Sequence, residues 1–104
     1  SGSAASAQQA LLTAITEVDS ALVQERELAE QLAASREQLR AAEAAWASAL
    51  LRFAAGDVVY LQVVSSAQSL YGARLSELAA HRALLGARIT LHQALGSTTL
   101  EGTP

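Results

Sequence analysis

No cysteine and no lysine occurs anywhere in this chain, and its single proline is the last residue. Without cysteine there is no disulfide, no thiolate metal ligand and no thiol nucleophile, and that absence fits any compartment. All seven positive charges are arginines, against ten acidic residues. A net charge of −3 leaves no basic footprint for a nucleic acid. Aromatic residues make up only 4% of the chain, too few for a thick globular core. No run approaches the ~20 continuous apolar residues of a membrane-spanning helix, and no signal peptide is recognisable. The expectation is a chain that is soluble as it stands, or one separated from its targeting and membrane parts.

What the chain has instead is alanine, nearly a quarter of its 104 residues. Small side chains let helix backbones approach closely but add little apolar area. One domain or a piece of one is expected, and a hairpin of this kind should be marginal alone and seek partners. Ser1-Gly2-Ser3 reads as a linker or expression remnant. From Ala4 the pattern turns helical and runs without proline or glycine to Ala55. Leu11, Ile15, Val18 and Leu22 recur at coiled-coil spacing. The seam slips through Glu25 and resumes at Leu28, Leu32, Leu39, Ala42, Trp46, Ala49 and Phe53, with Ser35 filling one position. At ~1.5 Å per residue this arm would be on the order of 75 Å long. The charges between Glu25 and Glu43 read as a solvated face.

The one internal break is Gly56-Asp57. Glycine tolerates the left-handed conformation just past a helix end, and aspartate is among the best residues for starting a helix. Together they predict a reversal, the alternative being a helix that runs straight through a tolerated glycine. A second helix is expected over 58–95, with a seam of Leu61, Val64, Ala67, Tyr71, Leu75, Leu78, Leu85 and Ile89. Gly96 should end it, leaving 96–104 as a flexible tail. The fold class is therefore all-α, a long antiparallel two-helix coiled-coil hairpin. Facing residues should have numbers that sum to roughly 113 to 115. That register sets Phe53 against Tyr60 or Leu61, Leu50 against Val63 or Val64, Trp46 near Ala67, Leu39 near Leu75 and Leu28 near Leu85. Apolar residues off the seam, among them Leu12, Leu51, Leu70, Leu84 and Leu91, would then need covering, so the chain alone is expected to self-associate into a helical bundle.

Catalytic constellations are missing from the sequence. His81 and His92 are eleven apart on one helix, too far to share a metal. Glu17 and Asp19 are two apart and point to different helix faces. No serine has a histidine and acid partner at recognisable spacing. A thin hairpin also lacks a pocket from which water could be excluded. The expectation is no enzyme, no cofactor and no metal.

The segment Arg52-Phe53-Ala54-Ala55-Gly56, followed by Tyr60-Leu61-Gln62-Val63-Val64, resembles the signature of the outer membrane efflux protein family, the TolC-like exit ducts of tripartite pumps. The family pattern is approximately Arg-Tyr-x-x-Gly, three variable residues, then Tyr-Leu-x-Val-Leu-Asp-Ala-Gln, with Ser69-Leu70 falling where the family has Ser-Leu. Glu17-Val18-Asp19-Ser20-Ala21-Leu22 is similar to the family's Glu-Val-x-x-Ala-Leu. Leu91-His92-Gln93-Ala94-Leu95-Gly96 is similar to its Leu-Tyr-x-Ala-Leu-Gly.

The resemblance implies a trimeric outer-membrane duct that exports drugs or metals, of which this chain is the C-terminal periplasmic hairpin. Its tip would dock a periplasmic adaptor protein through Arg52, Phe53, Gly56, Asp57, Val58, Tyr60 and Leu61. The positions that line the constriction in some members are Gln62 and Ser65 here, both neutral, so an acidic, cation-binding constriction does not carry over. A free-standing coiled-coil scaffold or dimerisation module, or the hairpin of an adaptor protein, is the competing reading. Strand-rich segments and a second hairpin upstream would decide for the duct.

Overall fold

A computed structural model describes residues 2–101. Among them are two helices and no strand: α1, Gly2–Ala54, and α2, Tyr60–Glu101. The chain divides into two compact units. One joins Ser1–Ala29 to Ala83–Pro104, and the other is Glu30–Arg82, which contains the turn. In each unit a stretch of α1 pairs with an antiparallel stretch of α2, so the fold is an all-α coiled-coil hairpin.

The inner face of α1 follows a strict heptad. Ala14, Val18, Ala21, Glu25, Leu28, Leu32, Ser35, Leu39, Ala42, Trp46 and Ala49 alternate steps of four and three, and all are buried or half-buried. The pattern passes through Glu25 without the predicted slip. Leu11, Ile15 and Leu22, predicted in the seam, are 57%, 55% and 49% exposed.

On α2 the correction is larger. Its inner face is Val63, Ser66, Leu70, Ala73, Glu77, Ala80, Leu84, Ala87, Leu91 and Ala94, again at steps of three and four, and Val64, from the predicted seam, and His81 are half-buried beside it. The predicted seam lies elsewhere on the helix: Leu61, Tyr71, Leu75, Leu78, Leu85 and Ile89 are all exposed. Leu70 and Leu84, predicted to need outside cover, are among the most buried residues. Every second position of the inner seam is small: Ser66, Ala73, Ala80, Ala87 and Ala94. With small residues in one column, leucines from the facing helix have room to seat, which is how alternating large and small layers fill a core.

Register is fixed by pairs whose numbers sum alike. In the unit that contains the turn, Arg36 Nε donates to Glu77 Oε1 at 3.3 Å, and the Phe53 and Tyr60 rings lie 5.9 Å apart, tilted by 56°. In the other unit Arg88 Nε donates to Glu25 Oε1 at 3.3 Å. Each pair sums to 113, within the predicted register. Glu25 and Glu77 occupy seam positions, and each reaches an arginine on the flank of the opposite helix. A charged residue at a seam position lowers stability but selects one alignment, since a slipped register would leave the carboxylate unpaired against apolar neighbours. Of the expected facing pairs, those through Leu50, Ala67, Leu75 and Leu85 are not core contacts, because all four side chains are exposed.

The ends of the helices also differ from expectation. Gly2 and Ser3 belong to α1 rather than to a lead-in. The helix continues through Gly96 to Glu101, and Gly96 keeps a negative φ, because Gly56 is the one glycine with a positive value among the described residues. A helical glycine costs only about 1 kcal/mol relative to alanine, too little to stop α2 there. The rest of the predicted tail, 102–104, lies outside the described residues.

Candidate interaction site at the hairpin tip

The reversal takes five residues, Ala55 to Val59, rather than two. Gly56 has φ +80°. Its amide donates to the Phe53 carbonyl at 3.0 Å, and the Asp57 amide donates to the Arg52 carbonyl at 2.8 Å. This nested pair is a Schellman motif, with Gly56 at the left-handed C′ position and Asp57 just beyond it. The Ala55 amide, donating to the Leu51 carbonyl at 3.1 Å, closes the last regular turn. Arg52 sits in that last turn, where a cation complements the carbonyl end of the helix dipole.

Asp57 does not start α2. The helix begins three residues later at Tyr60, and the Val59 carbonyl accepts from the Gln62 amide at 3.0 Å. Val59 thus stands at the N-cap with no side-chain acceptor to offer, and the first turn of α2 contains no acidic residue. Val58 and Val59 stay out of the helix, as suits β-branched residues that lose side-chain freedom in one.

The turn gathers the predicted docking residues at one end of their unit. Val59, Tyr60 and Leu61 are 66%, 67% and 73% exposed, Phe53 and Leu51 are exposed beside them, and Gly56 itself is open. Such a cluster of solvent-facing apolar side chains is unlike the scattered single ones of an ordinary surface. Val58 departs from this: it is half-buried.

One flank of the tip carries an open groove of about 380 Å³, whose lining includes Ser48, Arg52, Val58, Gln62, Ser65 and Ser66. Both predicted constriction residues, Gln62 and Ser65, are therefore in one groove with the Arg52 guanidinium. Counted along the heptad, Arg36 falls on the other flank of the seam and draws the Glu77 carboxylate to that side. The groove thus presents one arginine among hydroxyl and amide groups and no carboxylate. In the other unit, an open groove of about 490 Å³ is lined by Thr16, Glu17, Ser20, Gln24, Thr90 and Gln93 among others. There Thr16 and Thr90 turn their hydroxyls back onto the carbonyls four residues earlier, at 2.8 and 3.1 Å.

No group of three or more histidine or acidic side chains suited to a metal ion occurs among the described residues. Nor is any described helix long and apolar enough to cross a membrane. The sequence reading missed Glu25 and Glu77 as register-setting residues. The signal available was their spacing: each falls in phase with the inner heptad, with an arginine at the complementary position across the hairpin.

Compared with known proteins, the chain matches the outer membrane efflux protein family over residues 1–97. No curated protein and no solved structure matches it.

Proposed function

The chain belongs to the outer membrane efflux protein family, and from that premise we propose that it is the C-terminal periplasmic hairpin of an efflux duct whose tip docks an adaptor protein. The parent would be a trimer that passes exported compounds through the outer membrane, in a transport role without catalysis. The observation that carries this reading is the tip itself. The Arg52–Gly56 segment closes a Schellman turn, and that turn holds Val59, Tyr60 and Leu61 out in solvent at 66%, 67% and 73% exposure.

A helical hairpin of an adaptor is the partner this shape fits, because an apolar tip beside a polar groove meets another tip with a buried centre and a hydrogen-bonded rim. Gln62 and Ser65, in the groove beside Arg52, are the residues we assign to the constriction. Both are uncharged, so this part of the passage would offer hydrogen bonds to cargo but no carboxylate to hold a cation.

The test uses the full-length parent in cells that depend on the pump. Leu61→Asp and Gly56→Val should each abolish resistance to pump substrates while the protein still reaches the outer membrane in normal amount. Resistance that survived both changes would remove the tip from the mechanism.

A further inference from the structure

Among the described residues, Arg36, Arg40 and Arg88 are the arginines held in ion pairs. Arg52 is not one of them, and it lines the open groove of about 380 Å³ on the flank of the tip. With it stand the hydroxyls of Ser48, Ser65 and Ser66 and the carboxamide of Gln62. No carboxylate is among the lining residues, and the first turn of α2 has none either. A guanidinium presents its N–H donors in a fixed planar fork and has no acceptor, while hydroxyl and carboxamide groups each have a donor to add. Ala45, Ala49 and Val58 complete the lining with apolar surface.

The groove of the other unit is a comparison built into the same chain. Ser20 and Ser48, Gln24 and Arg52, Gln62 and Thr90, and Ser65 and Gln93 are each 28 residues apart, so the two grooves use matching heptad positions. Hydroxyl and amide groups recur in both. In the other unit, however, Gln24 stands at the position of the arginine, and Glu17 stands where the tip groove has Ala45. One framework of small polar residues thus carries a single negative charge there and a single positive charge at the tip.

We propose that the tip groove binds a small organic anion by its carboxylate, with Arg52 holding both oxygens and Ser48, Gln62 and Ser65 donating to their remaining lone pairs. Planar, bidentate pairing is the geometry in which arginine recognises a carboxylate. Ala45, Ala49 and Val58 give the ligand's body an apolar side to rest on, so a carboxylate on a small apolar frame suits the groove better than a bare inorganic ion. The volume is that of a small-molecule site. Because the groove is open and Arg52 is exposed, the ion pair stays solvated, and the affinity is modest, at about millimolar. Binding stands on the groove alone. That such an anion is also cargo rests on the efflux reading, which the resistance assay tests separately.

The experiment titrates the 104-residue chain with sodium benzoate at constant ionic strength and follows the arginine Nε–Hε signals by NMR. Benzamide, of similar shape but without the charge, is the control. The Arg52 signal should shift and saturate at about millimolar benzoate, with the Ser48 and Ser65 amides moving in step. Arg26, Arg74 and Arg82 also lack ion pairs among the described residues but line neither groove, and should show only small shifts that do not saturate. Benzamide should move none of them. Arg52→Gln should weaken binding by about tenfold. Gln62→Glu leaves Arg52 in place but sets a carboxylate beside it, and should weaken binding by at least as much.

Equal shifts at Arg26, Arg52, Arg74 and Arg82 would mean general screening by the added salt, and would overturn the proposal. So would saturation by benzamide, or unchanged affinity in both variants at wild-type helicity by circular dichroism. An acidic helical peptide that saturated the Arg52 signal where benzoate did not would give the groove to a protein partner, and would overturn it as well.

Discussion

Replacing Gly56 with alanine isolates the energy of a single backbone angle. A Cβ at Gly56 would meet nothing within 4 Å, and the same is true at Gly86, which is helical. The two sites therefore differ in conformation and not in crowding. At Gly56 the φ of +80° puts the added methyl against the following carbonyl, a penalty of about 1–2 kcal/mol. At Gly86, alanine relieves the entropic cost of a helical glycine and should gain roughly 0.5–1 kcal/mol. The variants should thus differ by about 2 kcal/mol in unfolding free energy. For a chain of this size, 1 kcal/mol moves the melting temperature by about 4–8 °C, so the two melting curves should separate by roughly 8–16 °C. Thermal unfolding followed by far-ultraviolet circular dichroism reads this directly. Gly56→Asn, which tolerates the left-handed region, should fall between alanine and wild type. If Gly56→Ala melted at or above the wild-type temperature, α1 would run on through this position and the turn would not exist.

The same melting assay checks three further expectations. Leu84→Ala should cost about 2–3 kcal/mol, because Leu84 is 3% exposed, whereas Leu85→Ala, at 46% exposure, should cost under about 1 kcal/mol. Equal losses at the two neighbours would mean that the inner seam is wrongly assigned. Val59→Asp supplies the missing N-cap acceptor and should add about 1 kcal/mol, a gain absent if α2 began at Asp57. Ala73→Leu forces a large side chain into the small column and should cost about 1–3 kcal/mol, while Ala67→Leu on the exposed side should be nearly neutral.

The hairpin was legible in the sequence because its turn is written in local chemistry. Glycine just past a helix end has one economical use, and the Arg52–Gly56 spacing matches the two bonds that close a Schellman motif. The register was legible too, since an antiparallel pair joined by a short turn has little freedom in its alignment. Asp57 misled because its propensity to cap is real but unused. Two β-branched valines that resist entering a helix follow Asp57, so α2 waits until Tyr60.

The inner face of α2 was not legible by counting leucines, and the reason is physical. This helix bears two apolar stripes of the same 3.5-residue period, displaced around its axis. The stripe of Leu61, Tyr71, Leu75, Leu78, Leu85 and Ile89 has the greater apolar area, so a search for the greasiest seam selects it. The stripe that is buried pairs Val63, Leu70, Leu84 and Leu91 with a column of serine and alanine. Close approach of two backbones favours the second, because each small residue leaves space for a large one from the facing helix, and dispersion contacts are lost wherever that space is not filled. The scarcity of aromatics and the abundance of alanine already point to such packing. The larger stripe is left outside, where two helices alone cannot cover it. On α2 the bulkier apolar stripe stays on the surface and the stripe rich in small residues faces α1, which leaves an apolar face that a further helix would cover.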